Sequence, residues 1–529
     1  MAYRLTNQSI EQAIAHICRF GDTDIFPHLP ELAFLADAKA KVVAELSQLD
    51  LDSFNPSGAT ECLAPKSKLG FRIAHQLGPI DTVILLACVI ELGPAIEKRR
   101  RPGARAFSYR FQPGSDGQLF EPNHTYRRWL VNQEATIEKH GKEIEHVLWT
   151  DISDFYARIN FHRLENYLDE CAPGAGAARF IKKHIKIIRA KQSFGLPVGG
   201  AAARLLAELS LCDTDRLLED NGIDSTRYVD DFRLFLRKGQ EPYDVLASLA
   251  EQLGINEGLS LNVAKTIVYN RDEFEEKLSS LLVDPTEDAG HAALETLTSD
   301  IYSDGDPDEE DISKLRNLNL IEFLREELAK DQWDVGRIKV IFRALKITRK
   351  EESIEFIIDE FESLLIFAKE LVLLMQALEL GDRCCFDVLL ERVIKAVLRP
   401  PAASVQLIQA WLLELFVRDV ITLEHKHINE FTSLASPIHK RQLLLIRGRL
   451  GDVNYFRSEK TAIDQFSNVE QTCLVWGAAC LPDDELKNWL PAVKGKMTGP
   501  CSALFCDWVF ENKKAINKRL GAPPEEHAE

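Results

Sequence analysis

Two adjacent aspartates in the middle of a strand-forming run constrain this chain more than any other feature. Arg227-Tyr228-Val229-Asp230-Asp231-Phe232-Arg233-Leu234-Phe235-Leu236 sets β-prone apolar residues on both sides of a carboxylate pair. Side-by-side carboxylates in apolar surroundings repel each other and lose hydration, which costs several kcal/mol unless a cation neutralises them. The run therefore predicts a β-hairpin with the acids at its tip and a divalent metal as their counter-charge.

A third carboxylate stands upstream in a matching context. Val147-Leu148-Trp149-Thr150 is an apolar strand that ends at Asp151, and Ile152-Ser153-Asp154-Phe155-Tyr156 reads as a turn or helix start. An aspartate at the C-terminal end of one strand can meet the pair on a neighbouring hairpin. Asp151, Asp230 and Asp231 are then expected to hold two Mg²⁺ ions, with Mn²⁺ as the alternative, and nucleotide phosphates would complete the shell. One ion would lower the pKa of a 3′-hydroxyl nucleophile; the other would hold the triphosphate and stabilise the leaving pyrophosphate.

Three further blocks have chemistry of their own. Pro65-Lys66-Ser67-Lys68-Leu69-Gly70-Phe71-Arg72 places Lys66, a point charge, and Arg72, a planar fork, around a glycine, as phosphate oxygens require; a solvated basic loop is the bland alternative. Gln192-Ser193-Phe194-Gly195-Leu196-Pro197-Val198-Gly199 reads as a tight turn whose backbone can approach a ligand closely, ahead of a helix over 201–212. Leu259-Ser260-Leu261-Asn262-Val263-Ala264-Lys265-Thr266 is a short apolar run that ends near a lysine.

Taken in order, these blocks resemble the reverse transcriptase family over residues 61–283. The resemblance implies an α+β fold of fingers and palm, an antiparallel sheet with helices. It implies that Asp151, Asp230, Asp231 and Lys265 are catalytic, with Lys265 assisting pyrophosphate departure, and that Asp151, Ile152, Asp230 and Asp231 ligate metal. It places Lys66, Arg72, Ile152, Tyr156, Gln192, Gly195, Pro197, Gly199 and Tyr228 against the substrate, with Tyr156 crowding a ribose 2′-hydroxyl so that deoxynucleotides (dNTPs) are preferred. The chain departs from the family pattern at Ala203, where Ser is common. It also shows no clear primer-grip hairpin after Lys265, no thumb signature and no RNase H domain.

Charge and composition bound the rest. The net charge is −18 over 529 residues, against the basic footprint of most duplex binders. Asp304-Gly305-Asp306-Pro307-Asp308-Glu309-Glu310-Asp311 alone holds six carboxylates. The cations cluster instead at Lys98-Arg99-Arg100-Arg101, at Arg127-Arg128 and at Lys182, Lys183, Lys186, Arg189 and Lys191, where they could line a single-strand path or form solvated helix faces. Eleven cysteines are scattered without CxxC pairs, Cys384-Cys385 and the Cys501/Cys506 pair included, which fits a reducing cytoplasm rather than structural zinc. No signal peptide is read at the start. The apolar runs at 82–96 and 363–378 are broken by Glu91 and by Lys369-Glu370, so no membrane association is expected.

Four parts are expected: a helical segment over 1–60, the fingers and palm over 61–283, an acidic linker or loop over 284–312, and an all-α, HEAT-like array over 313–529. Helical runs there alternate with breakers such as Gly381, Pro400-Pro401, Pro437, Gly451 and Pro482. Lys440, Arg441 and Arg447 are read as basic positions on its surface. A palm fused to such an array resembles the bacterial abortive-infection and defence-associated reverse transcriptases. That resemblance implies antiphage defence, a homo-oligomer and a single-stranded DNA product, made either without a template on a protein hydroxyl or by copying an associated non-coding RNA. A retroelement enzyme and a catalytically silent nucleic-acid scaffold are the alternatives.

Overall fold

The strand-forming runs become two antiparallel sheets in the computed structural model, which describes residues 2–189, 192–282, 294, 309–378 and 386–519. Most of the acidic 284–312 stretch, together with Lys191, Gly381, Cys384 and Cys385, lies outside the described residues. The helix Glu309–Arg316 begins at the end of that stretch.

The smaller sheet is a hairpin of β1 (Thr60–Pro65) and β2 (Phe71–Gln76). Its loop is closed by the Lys66 N–H donating to the Gly70 carbonyl at 2.8 Å. The larger sheet contains β3 (Ile144–Asp151), β4 (Asp224–Tyr228), β5 (Asp231–Arg237) and β6 (Ile267–Asn270) in the order β4-β5-β3-β6, with every pair antiparallel. The helices Tyr126–His140 and Arg271–Leu282 pack against it. Val147 and Leu148 of β3, and Leu234, Phe235 and Leu236 of β5, are all buried, so these strands read as continuous apolar runs rather than alternating ones.

The apolar run near residue 90 forms the helix Pro79–Arg99. By length and composition it could cross a bilayer, yet it lies buried under the helices Asn7–Phe20, Gly176–Ile188 and Ala201–Ser210. Glu91, which interrupts the run, accepts hydrogen bonds from the Tyr3 hydroxyl at 2.7 Å and from Ser9 Oγ at 2.9 Å. Gly93 lets the Phe111 ring pack directly on this helix: a Cβ there would sit 2.3 Å from the ring.

The C-terminal part is a row of helices in which each member packs on the next but one. Val335–Thr348, Ala368–Ala377, Gln406–Val417, Pro437–Arg449, Asn468–Gly477 and Ser502–Glu511 contact one another in that sequence. Gly448 and Gly477 meet at one crossing, where a Cβ on Gly448 would lie 2.5 Å from the Gly477 Cα.

This row is bonded to the first 76 residues of the chain. Trp411 Nε1 donates to the Ile25 carbonyl at 2.8 Å. Thr472 Oγ1 donates to Glu31 at 2.5 Å, and Asn468 donates to Ser57 Oγ at 2.5 Å. Arg441 donates to Gln76 Oε1 and to the Pro27 carbonyl. The surface position expected for Arg441 is therefore wrong: it is 1% exposed, because its guanidinium satisfies polar groups inside this seam. Arg447 is half-buried, paired with Asp452 and lying 4.3 Å from the Tyr455 ring centroid. Lys440 is exposed as expected.

Candidate active site

The sheet register brings the aspartates together. Asp151 ends β3, Asp231 opens β5, and the two are register partners. Tyr228 pairs with Asp231 across β4 and β5, which leaves Val229-Asp230 as a two-residue turn. The Ile152 N–H donates to the Asp230 carbonyl at 3.2 Å, so the main chain after β3 lies directly against the turn.

That turn is strained and heavily braced. Val229 has φ 56°, a left-handed conformation that a β-branched residue resists. Its N–H donates to Ser108 Oγ at 2.8 Å, and its carbonyl accepts from Arg227 at 3.0 Å. Arg227 is 1% exposed and gripped by Asp215 at 2.7 and 2.8 Å and by Glu208 at 2.8 Å. Glu208 also accepts from Ser108 Oγ at 2.5 Å and from Arg100 at 2.7 Å. Burial works against its charge, but Arg227 and Arg100 hold its pKa below the ordinary value. Two buried guanidinium groups and two buried carboxylates thus fix the hairpin tip. Ser108, Glu208 and Asp215 were not found by sequence reasoning; the only signal was a strand arginine, Arg227, in need of a counter-charge. Arg100, expected with its basic neighbours to line a single-strand path or a solvated face, is instead buried, because Glu208 takes up its charge.

Electrostatically the site is short of positive charge. Burial first, and then the neighbouring carboxylates Asp231 and Asp151, push the Asp230 carboxyl up to about 7. Asp231 is also raised, by burial and then by Asp151, against the pull of Arg233 and Lys265. Lys265 Nζ lies 2.6 Å from Asp151 Oδ2, while the buried Oδ1 of Asp151 has no hydrogen-bond partner. Burial opposes the Lys265 charge, but its bond to Asp151 and the field of all three acids raise its pKa. Arg233, also missed from sequence, is fully buried with its guanidinium 3.4 Å from the Trp149 ring centroid and 4.8 Å from that of Trp129. Burial lowers its pKa to about 10.

These acids suit hard divalent cations chemically. Among the described residues, however, no three His, Cys, Asp or Glu side chains converge on one metal-sized point. Asp151, Asp230 and Asp231 are adjacent without closing a cage. The orphaned Asp151 oxygen and the raised carboxyls fit ions whose remaining ligands come from elsewhere, phosphate oxygens being the matching donor type.

The expected substrate residues fall into three groups. The 192–199 loop lies against the segment after β3: the Leu196 N–H donates to the Tyr156 carbonyl and the Gly195 N–H to the Ile159 carbonyl, both at 2.8 Å. Gly195 and Gly199 have φ 97° and 110°, and a side chain on Gly199 would strike Asp24 Oδ1 at 2.6 Å. Pro197 is buried, Tyr156 half-buried, and Gln192 exposed with its carboxamide oxygen accepting from Arg189. Tyr228 belongs to an aromatic cluster instead, 5.4 Å from Tyr126 and 5.7 Å from Trp129 between ring centroids. Lys66 and Arg72 both line a cavity that contains none of the three aspartates, and Lys66 Nζ is also 3.2 Å from Asp154, just past Asp151.

No protein-family model matches this chain, and no curated protein matches it. Among solved structures it is similar to telomerase from Candida albicans in complex with a TWJ fragment of telomeric RNA, at 10% identity and a TM-score of 0.31 over 72% of this chain and 70% of that one. Apo telomerase from Candida tropicalis gives 12% identity and a TM-score of 0.33 over 72% of this chain and 74% of that one. Likeness this distant assigns neither an activity nor a partner.

Proposed function

We propose that this chain is a Mg²⁺-dependent nucleotidyltransferase of reverse-transcriptase type, which adds deoxynucleotides to a 3′-hydroxyl. The observation that carries the reading is the pairing of Asp151 with Asp231 beside Asp230 at a braced hairpin tip. Three mutually repelling acids are held together there by a buried network, against their own electrostatics. Asp151, Asp230 and Asp231 would hold the ions, which when bound supply an acidified hydroxyl nucleophile and neutralise a departing pyrophosphate. Lys265 keeps a proton beside Asp151 and so offers a mobile cation to the leaving group. Tyr156, fixed through its backbone to Leu196, narrows the space for a sugar 2′-substituent. The 192–199 loop, bonded to the segment after β3, would lie beside a nascent base pair.

The finer reading follows the sequence resemblance: cytoplasmic antiphage defence, a homo-oligomer and a single-stranded DNA product, either untemplated or copied from a bound non-coding RNA. Sequencing the nucleic acid that co-purifies separates these modes. Heterogeneous DNA without a complementary RNA supports untemplated synthesis, and one structured RNA supports templating. The activity itself is tested with labelled dNTPs and Mg²⁺. Asp230→Asn and Asp151→Asn are expected to lower incorporation by roughly a hundredfold or more. Metal-free Asp230→Asn should melt no lower than wild type, because a repelling charge is removed. Ordinary incorporation by either variant would overturn the assignment.

A further inference from the structure

Arg233 stands one rung behind the acids, on the same face of the larger sheet. Asp231 and Arg233 are two apart on β5, and their register partners on β3 are Asp151 and Trp149. Side chains two apart in a strand share a face, about 7 Å from each other. The guanidinium is enclosed there. Its centre lies 3.4 Å from the Trp149 ring centroid and 4.8 Å from that of Trp129. The Trp129 ring is held in place by Nε1, which donates at 3.0 Å to Oγ1 of Thr226, the β4 register partner of Arg233. Arg233 Nη1 donates to the Phe232 carbonyl at 2.8 Å, while its enclosed Nε and Nη2 have no hydrogen-bond partner.

Packing alone does not account for this residue. A buried cation without full hydrogen bonding costs more than an apolar side chain of similar length. Arg227, buried in the same hairpin, is gripped directly by Asp215 and Glu208. Arg233 instead meets indole faces, which offset only part of the cost. Burial disfavours its charge; Asp231 leads the groups that favour it, and Asp151 also contributes. Its field therefore acts on the acids from behind. Lys265 differs: it is bonded to Asp151, yet its side chain is 63% exposed and free to swing away. Arg233 is walled in.

We propose that Arg233 is a positioning residue of the metal site, a permanent internal cation that holds Asp151 and Asp231 together before metal arrives and weakens their grip on the metal afterwards. The inference rests on the metal reading of those acids. Its physical basis is superposition: a fixed guanidinium attracts the carboxylates and repels a divalent cation placed among them. The indole walls keep water from screening either effect.

Titration of the full chain with MnCl₂ and with MgCl₂, without nucleotide, tests this by calorimetry. Arg233→Met should bind metal roughly tenfold more tightly than wild type. Arg233→Lys keeps the charge and should stay within roughly threefold of wild type. A side chain that merely supported the fold would, when replaced, loosen metal binding. In EDTA, Asp231→Asn should raise the melting temperature of Arg233→Met by more than it raises that of wild type, because there the acids lack their counter-charge. If Arg233→Met alone does not fold, the Arg233→Met/Asp231→Asn double variant should; a double variant that is also unfolded would overturn the proposal. Metal binding to wild type, with Arg233→Met binding no more tightly, would overturn this inference alone. Wild type that binds neither ion would overturn it together with the metal reading. None of these results depends on nucleotide incorporation.

Discussion

Glu31 shows how a single buried acid makes this chain pH-sensitive away from the hairpin tip. It is 4% exposed and accepts from Thr472 of the helical row. Burial pushes its carboxyl up from 4.5 to about 7; the Thr472 hydrogen bond only partly opposes this. Between those values the folded chain keeps a proton that the unfolded chain releases, so stability falls as pH rises through this window. Glu31→Gln keeps an acceptor for Thr472 and removes the titration. The variant should match wild type near pH 4.5 and exceed it by about 1–3 kcal/mol at pH 8 in urea denaturation. A variant less stable than wild type at pH 8 would mean that Glu31 is ionised and paired there. At this scale the sequence was informative about the acids and poor about the cations. Asp151, Asp230 and Asp231 stood out because carboxylates conflict with their strand context. Arg233, Arg227 and Arg441 did not, because a buried arginine and an exposed one look alike until its partners are known.

At the scale of elements, the β4–β5 hairpin depends on charges carried by the helices Ala201–Ser210 and Cys212–Asp220. Arg227→Ala leaves Glu208 and Asp215 buried without their shared partner and should cost about 3–5 kcal/mol in denaturant unfolding. A loss below 1 kcal/mol would show that water replaces the guanidinium. The short helix Phe155–Arg158 invites a different test. Tyr156→Ala should raise ribonucleotide use relative to deoxynucleotide use by roughly tenfold. An unchanged ratio in an active, folded variant would make Tyr156 a packing residue against Phe155. In the larger sheet β3 and the β4–β5 hairpin were legible because β-branched and aromatic residues run up to a carboxylate or a turn; β6, only four residues long, was not. The row's next-but-one packing was not, since it rests on shape matches such as Gly448 against Gly477 and leaves no sequence repeat.

At the scale of the molecule, the N-terminal helices, the β1–β2 hairpin and the helical row are joined by buried polar bonds. Arg441 is the deepest of these ties, and Arg441→Ala removes a donor from both Gln76 and Pro27. The variant should lose on the order of 3 kcal/mol, and urea unfolding followed by tryptophan fluorescence should broaden or split where wild type shows one transition. An unchanged midpoint and slope would mean that the parts unfold independently despite the contact. Composition suggested a separate helical array. It could not reveal the seam, because the groups that make it are hundreds of residues apart.

That separation orders events in time. Asp24, Ile25 and Pro27 offer main-chain carbonyls to Lys369, Trp411 and Arg441, partners 345, 386 and 414 residues further along. At ribosomal rates of about 5–20 residues per second, the start of the chain waits roughly twenty to eighty seconds before the last of these donors has been made. During synthesis the apolar side chains around that stretch have no covering wall, and the nascent protein is at its most vulnerable to aggregation when nearly finished. Because the row reads backbone at these three positions, the bonds themselves do not depend on which side chains stand there, whereas they do depend on Trp411 and Arg441.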